Sequence, residues 1–195
     1  MQMNEQFRLF DFISYQLEKL PKADMLAGKE NGEWYTLSTA EVVSMSNALS
    51  AGLLKLGLGG NDMTVENQDK IGIISRNRTE WLILDLACQQ IGTVLCPIYP
   101  TTNINELEFI FNDAALKYVF VSGQDILEKV NNIRDRVPSL INVYCFDELN
   151  GVDHWKKLLN GIGPADEQRV TDIKKSILPT HCATIIYTSG TTGTP

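Results

Sequence analysis

Short apolar runs alternate with helical stripes from residue 69 onward, and this alternation limits the fold more than any other feature. The runs predicted as strands are 71–75, 94–99, 118–121 and 143–146. Between them, apolar residues recur at helical spacing. The strands are apolar throughout, which is typical of strands covered on both faces. The sequence therefore predicts the α/β class, with βαβ units in a largely parallel sheet and helices on both faces.

Local signals also mark where helices begin and where the repeating pattern is interrupted. Pairs with the spacing of a helix-capping box are Ser38 with Glu41, Asn77 with Glu80, and Asn103 with Glu106. Residues 160–180 combine glycine, proline and charged residues, and they are interpreted as a surface connection. One more strand is predicted after it, over residues 183–187.

Composition excludes several classes of function. The 195 residues include 17 Lys or Arg and 24 Asp or Glu, for a net charge of −7. No broad cationic field can therefore hold a nucleic acid or an anionic membrane. The N-terminal residues lack the apolar core of a signal peptide, and no run is apolar enough to predict a membrane span. Four cysteines without C-x-x-C spacing are expected to be buried thiols, which fits a cytoplasmic location, and no metal site is expected.

The segment 187–195, Tyr-Thr-Ser-Gly-Thr-Thr-Gly-Thr-Pro, carries the strongest chemical signal. An apolar run leads directly into hydroxyl residues separated by two glycines. Such a turn suits phosphate, because glycines allow close approach of the backbone and successive N–H groups can surround an anion. It is not a Walker A loop, since Gly190 and Gly193 are three residues apart and no lysine follows. From residue chemistry alone, a plain turn remains the alternative.

The ordered string resembles the signature loop of the adenylate-forming enzymes, the superfamily of acyl-CoA synthetases, luciferases and peptide-synthetase adenylation domains. Segments 34–36, 77–81 and 92–102 look like the corresponding stretches of that family. Residues 97–101, with Glu106 and the pair 112–113, look most like its long-chain fatty acyl-CoA synthetase branch. The family often has an acidic residue where this chain has His181-Cys182, a departure without an expected catalytic consequence.

The resemblance implies a reaction in two halves. A carboxylate attacks the α-phosphate of ATP to give an acyl-adenylate and pyrophosphate, and coenzyme A then displaces AMP. Mg²⁺ would offset the phosphate charge. Residues 1–195 would form the N-terminal portion of the AMP-binding domain of a longer ligase. The adenine pocket, the acyl channel and the C-terminal domain with its catalytic lysine would then lie outside this chain.

The resemblance also assigns roles within the signature segment. The residues expected to bind the β- and γ-phosphates of ATP are Thr188, Ser189, Gly190, Thr191, Thr192 and Gly193. The threonines and the serine would donate hydrogen bonds, whereas the glycines would permit close approach. Tyr187 is expected to anchor the segment by packing, and no catalytic residue is expected within the chain. Trp81 is interpreted as a core residue, and Trp155 and His154 as packing on a surface helix.

Two alternatives stay open at this point. The acid could belong to another class, because the acyl pocket is not expected here. The chain could instead be a non-catalytic nucleotide- or protein-binding module. The 195-residue chain alone is expected to be inactive. Exposed apolar faces are expected to favour self-association.

Overall fold

The computed structural model describes residues 7–30, 32–60 and 62–188, and these form two compact units. The first unit draws on the chain up to residue 68, residues 77–93 and residues 158–182. The second draws on residues 69–76, residues 94–157 and the chain from 183 onward.

Six α-helices and seven strands are present in the described residues. The helices are α1 (Asp11–Lys19), α2 (Thr39–Lys55), α3 (Thr79–Gln90), α4 (Ile104–Asp113), α5 (Gln124–Asn131) and α6 (Pro164–Ser176). The strands are β1 (Leu26–Glu30), β2 (Glu33–Leu37), β3 (Lys70–Ile74), β4 (Val94–Pro97), β5 (Tyr118–Val121), β6 (Asn142–Cys145) and β7 (Asp153–His154). Two short 3-10 helices cover Arg134–Arg136 and Trp155–Leu159.

The second unit contains a five-stranded sheet in the order β4-β3-β5-β6-β7, with every neighbouring pair parallel. Apolar residues of α4 and α5 are buried in one cluster with the strands, among them Leu107, Phe111, Ile126 and Val130. These side chains recur every three or four residues, so each helix buries one face. The predicted α/β class is confirmed: a parallel sheet is flanked by helices. Strand 118–121 was predicted with the bounds that the structure shows.

The first unit contains the hairpin β1–β2 and the helices α1, α2, α3 and α6. Small residues line the contact between α2 and α3, where the Ser50 hydroxyl donates to the Ala87 carbonyl at 3.0 Å. Gly52 of α2 approaches the backbone of Leu158 so closely that a β-carbon would overlap it. The backbones of Gly52 and Leu158 can approach this closely because glycine has no side chain.

The predicted helix starts have three different outcomes. The capping box of Ser38 and Glu41 is confirmed in both directions. The side chain of Asn103 caps α4 by accepting two backbone N–H groups. The predicted cap at Asn77 is wrong, because α3 begins at Thr79 after Arg78, without a side-chain cap. Arg78 instead forms a 2.8 Å ion pair with Glu80, which takes the carboxylate that a capping box would have used.

Residues 160–180, interpreted as a surface connection, contain a helix that the sequence did not predict, because α6 occupies thirteen of them. Pro164 stands at the start of this helix, where its missing N–H costs nothing. The Asp166 carboxylate accepts the Gly163 N–H at 2.9 Å and forms a 2.9 Å ion pair with Lys55 of α2. Val170 and Ile177 are buried. Val170 is the only buried residue within α6, so the helix has no apolar stripe by which the sequence could reveal it.

Several side chains differ from their expected environments. Trp155 is fully buried, so its interpretation as surface packing is wrong. Trp81 is only half-buried. Cys88, Cys96 and Cys145 are buried as predicted, whereas Cys182 is half-buried. No helix of the described residues is long and apolar enough to cross a membrane.

Candidate functional site

The candidate site lies where the chain from residue 183 runs beside β4. The Leu95 N–H donates to the Ala183 carbonyl at 3.1 Å, and the Ile185 N–H donates to the Leu95 carbonyl at 3.0 Å. The bridge between Leu95 and Thr184 is parallel. The segment therefore continues toward the carboxyl end of β4, which is where open α/β sheets bind their ligands.

This segment forms one isolated β-bridge with β4 rather than the strand predicted over 183–187. The next donor in a parallel ladder would be the backbone nitrogen of residue 97. Pro97 has no N–H to donate, so the ladder with β4 stops after Ile185 in the described chain. The prediction of a strand is therefore wrong in extent, although the direction of the segment is that of a further parallel strand.

Tyr187 is attached to α4 through both its ring and its hydroxyl group. Its ring stands edge-on to the Phe109 ring, with 6.5 Å between centroids. The phenolic hydroxyl donates to the Asp113 carboxylate at 2.5 Å. The ring also packs against the buried apolar cluster of the second unit. Packing of Tyr187 was expected from the sequence, whereas its bond to Asp113 had no signal in the sequence because 74 positions separate the two residues.

The environment of Tyr187 predicts an unusual titration. Burial, followed by the hydrogen bond and the negative charge of Asp113, raises the pKa of Tyr187 above its usual value of 10.0. The folded chain keeps this proton at pH values where the unfolded chain has lost it. The free energy of unfolding should therefore fall as pH rises through that range.

This titration can be measured by ultraviolet absorbance. The difference between wild type and Tyr187→Phe isolates one of the six tyrosines. We expect the missing step to lie at higher pH than that of an ordinary tyrosine. Asp113→Asn should lower the pKa of Tyr187 part of the way toward its usual value, because the negative charge beside the hydroxyl is lost. A step at the ordinary pKa would contradict the hydrogen bond.

The turn after β4 leaves the same edge of the sheet. Lys129 of α5 holds this turn by donating to the carbonyl of Pro100 at 2.8 Å and to that of Thr102 at 3.3 Å. Because Leu95 is opposite Thr184, a continued register would set Tyr99 level with Thr188. Tyr99 is 72% exposed.

Only one of the predicted phosphate-binding residues is described. Thr188 is exposed and comes three residues after Ile185, the last residue of this segment that is hydrogen-bonded to β4. Ser189, Gly190, Thr191, Thr192 and Gly193 lie outside the described residues. Their roles remain predictions. Within residues 7–30, 32–60 and 62–188, no group of three or more His, Cys, Asp or Glu side chains could hold a metal ion.

Comparison with known proteins decides the family. The family described as AMP-binding enzyme matches residues 13–195. This chain belongs to that family. The sequence match includes the signature segment, so the resemblance seen in residues 187–195 is confirmed at the level of the family.

Curated relatives of this AMP-binding chain are mainly acyl-CoA ligases. The long-chain-fatty-acid–CoA ligase ACSBG2 of Xenopus laevis is 27% identical over 175 residues, covering 87% of this chain and 23% of that protein. FadD15 of Mycobacterium bovis, another long-chain-fatty-acid–CoA ligase, is 30% identical, with coverages of 85% and 26%. A relative from Arabidopsis thaliana, 30% identical with coverages of 84% and 23%, is named long chain acyl-CoA synthetase 7, peroxisomal. The chain thus spans about a quarter of the length of these relatives.

Solved structures show the same fold at lower identity. The anthranilate CoA ligase AuaEII, in complex with anthranoyl-AMP, has a TM-score of 0.70 and 17% identity, covering 98% of this chain and 33% of its own. A red emitting luciferase from Phrixothrix hirtus has a TM-score of 0.62 and 19% identity, with coverages of 83% and 38%. These similarities confirm the fold of an adenylate-forming enzyme.

Proposed function

We propose that this chain supplies the N-terminal portion of the AMP-binding domain of an ATP-dependent ligase that joins long-chain fatty acids to coenzyme A. The observation that carries the proposal is the family match over residues 13–195, with long-chain fatty acid ligases among the relatives. The reaction is that of an acid–thiol ligase. Carboxylate and ATP give acyl-adenylate and pyrophosphate, and coenzyme A then gives acyl-CoA and AMP.

The role of this chain is to hold the leaving group of the first half-reaction. The segment Thr188 to Gly193 would surround the β- and γ-phosphates with hydroxyl and backbone N–H groups. The exposure of Thr188 supports this role. Mg²⁺ supplies further charge neutralisation when it is bound with ATP. The attacking group is already a carboxylate, so the chain needs no general base for this step.

Pyrophosphate release tests the proposal. The protein expressed from its complete reading frame is incubated with MgATP, coenzyme A and carboxylates from acetate to palmitate, together with aryl and amino acids. We expect release that depends on long acids. Release only with aryl or amino acids would mean that the substrate is one of these acids rather than a long-chain fatty acid. No release with any acid would favour a non-catalytic binding module. We expect the 195-residue chain to release none, because it spans about a quarter of its relatives.

A variant pair connects that activity to the signature segment. Thr192→Val removes one hydroxyl from the segment but keeps the shape of the side chain. We expect a loss of roughly tenfold or more in kcat/KM for MgATP, as for other donors that stabilise developing charge. Thr180→Val is the matched control, since Thr180 is an exposed threonine outside the segment. Equal effects of the two substitutions would argue against phosphate binding at residues 188–193.

A further inference from the structure

We propose that Asp113 is a positioning residue for the phosphate-binding segment. By holding the side chain of Tyr187, Asp113 sets the place and direction in which the chain leaves the sheet at Thr188. Asp113 would contact neither ATP nor the acid, and it would act through Tyr187. This inference rests on the proposed function, and it adds a residue outside the signature segment to the site.

The geometry of α4 makes it suitable as a support. Leu107, Ile110 and Phe111 of this helix are almost fully buried in the apolar cluster of the second unit. A helix with a buried face has few alternative positions, because interiors are close-packed. Asp113 is the last residue of α4, so its carboxylate extends from a backbone that the core holds in place.

Tyr187 connects this support to the segment at two points. Its hydroxyl donates to Asp113 at 2.5 Å, and its ring forms a T-shaped contact with the Phe109 ring one turn earlier in α4. A ring held by a neighbouring ring and at its distal oxygen loses most of its rotational freedom. Thr188, the first residue predicted to bind phosphate, directly follows Tyr187 in the chain.

The backbone itself provides little restraint at this point. In the described chain the hydrogen-bond ladder with β4 ends at Ile185, because Pro97 cannot donate. Ile186 and Thr188 are exposed. The side chain of Tyr187 therefore takes over from the sheet as the restraint on this stretch. Fixing Tyr187 before ATP arrives reduces the entropy that binding must remove.

Asp113 lines an open groove of about 570 Å³ along α4. The residues that line this groove are Asn105, Glu108, Phe109, Asn112 and Asp113. Glu108 is paired with Arg136 at 2.7 Å and therefore offers a carboxylate on the same helix with a different partner. This arrangement provides a matched control, because Asp113 and Glu108 differ in whether they hold Tyr187.

The kinetic test uses the protein expressed from its complete reading frame. Asp113→Ala should lower kcat/KM for MgATP by about three- to tenfold, the range for loss of one hydrogen bond. The kcat/KM for coenzyme A should not change, since coenzyme A enters after pyrophosphate has left. Asp113→Asn should restore most of the loss, because its amide oxygen still accepts from Tyr187. Glu108→Ala should match the wild type. An unchanged kcat/KM for MgATP in Asp113→Ala would overturn the proposal.

A second readout does not depend on activity. In the 195-residue chain, the backbone amide of Ile185, which donates to the Leu95 carbonyl, should exchange hydrogen several times faster in Asp113→Ala than in wild type or Glu108→Ala. Faster exchange with unchanged kinetics would show that Asp113 has only a structural role and would overturn the proposal. Unchanged exchange would overturn it as well. Failure of the wild type to release pyrophosphate with any acid would contradict the proposed function, whereas the exchange experiment would still test the support itself.

Discussion

Replacing Trp155 with alanine is expected to lower the free energy of unfolding by about 3–5 kcal/mol, the range for truncating a buried aromatic residue. The indole is 0% exposed in the second unit. Its ring meets the Phe146 ring edge-on, with 6.0 Å between centroids, and Phe146 in turn meets Phe120 at 5.8 Å. Truncation would leave a cavity beside aromatic rings that cannot move in to fill it. Urea denaturation followed by circular dichroism measures the change.

Two further tryptophan variants make this result specific. Trp155→Phe should cost less than alanine, because most of the ring remains. It also removes an indole N–H that has no hydrogen-bond partner among the described atoms, so no polar group loses a partner. Trp34 is 73% exposed on β2, and Trp34→Ala should change stability by only about 0.5 kcal/mol or less. Equal losses for Trp155→Ala and Trp34→Ala would contradict the buried position of Trp155.

Gly52→Ala is expected to destabilise the chain although alanine is the better helix former. In the middle of α2 the exchange should gain about 1 kcal/mol from helix propensity alone. A β-carbon at Gly52 would, however, lie 2.9 Å from the carbonyl carbon of Leu158 and closer still to its oxygen. The obstacle is backbone, which cannot rotate away as a side chain can. Overpacking of this kind costs about 1–3 kcal/mol, and we expect it to exceed the gain.

The control for Gly52→Ala is an alanine at an exposed position of the same helix. Ser44 is exposed on α2, and Ser44→Ala should leave stability unchanged or raise it by a few tenths of a kcal/mol. Thermal and urea unfolding of both variants give the comparison. A more stable Gly52→Ala variant would mean that α2 does not approach Leu158 as closely as the structure shows.

The sequence by itself determined the features that depend on neighbouring residues. Apolar runs predicted β3, β4, β5 and β6 to within two residues at each end. The capping box at Ser38 was visible because its two partners are three residues apart. The string from Tyr187 to Pro195 indicated the family, which the comparison over residues 13–195 confirmed. Side-chain periodicity and hydrogen bonds between residues a few positions apart can be read directly from the sequence.

Only the tertiary structure decided which distant residues meet. Asp113 and Tyr187 are 74 positions apart, and nothing in the sequence around either residue indicates that the two will be hydrogen-bonded. Trp155 follows a two-residue strand, and its burial depends in part on the ring of Phe146, which comes directly after β6. The bridge at Leu95 ends early because Pro97 happens to stand at the next pairing position. These outcomes depend on how elements dock against one another. Periodicity shows which face of an element is buried, whereas docking selects the residues that this face will contact.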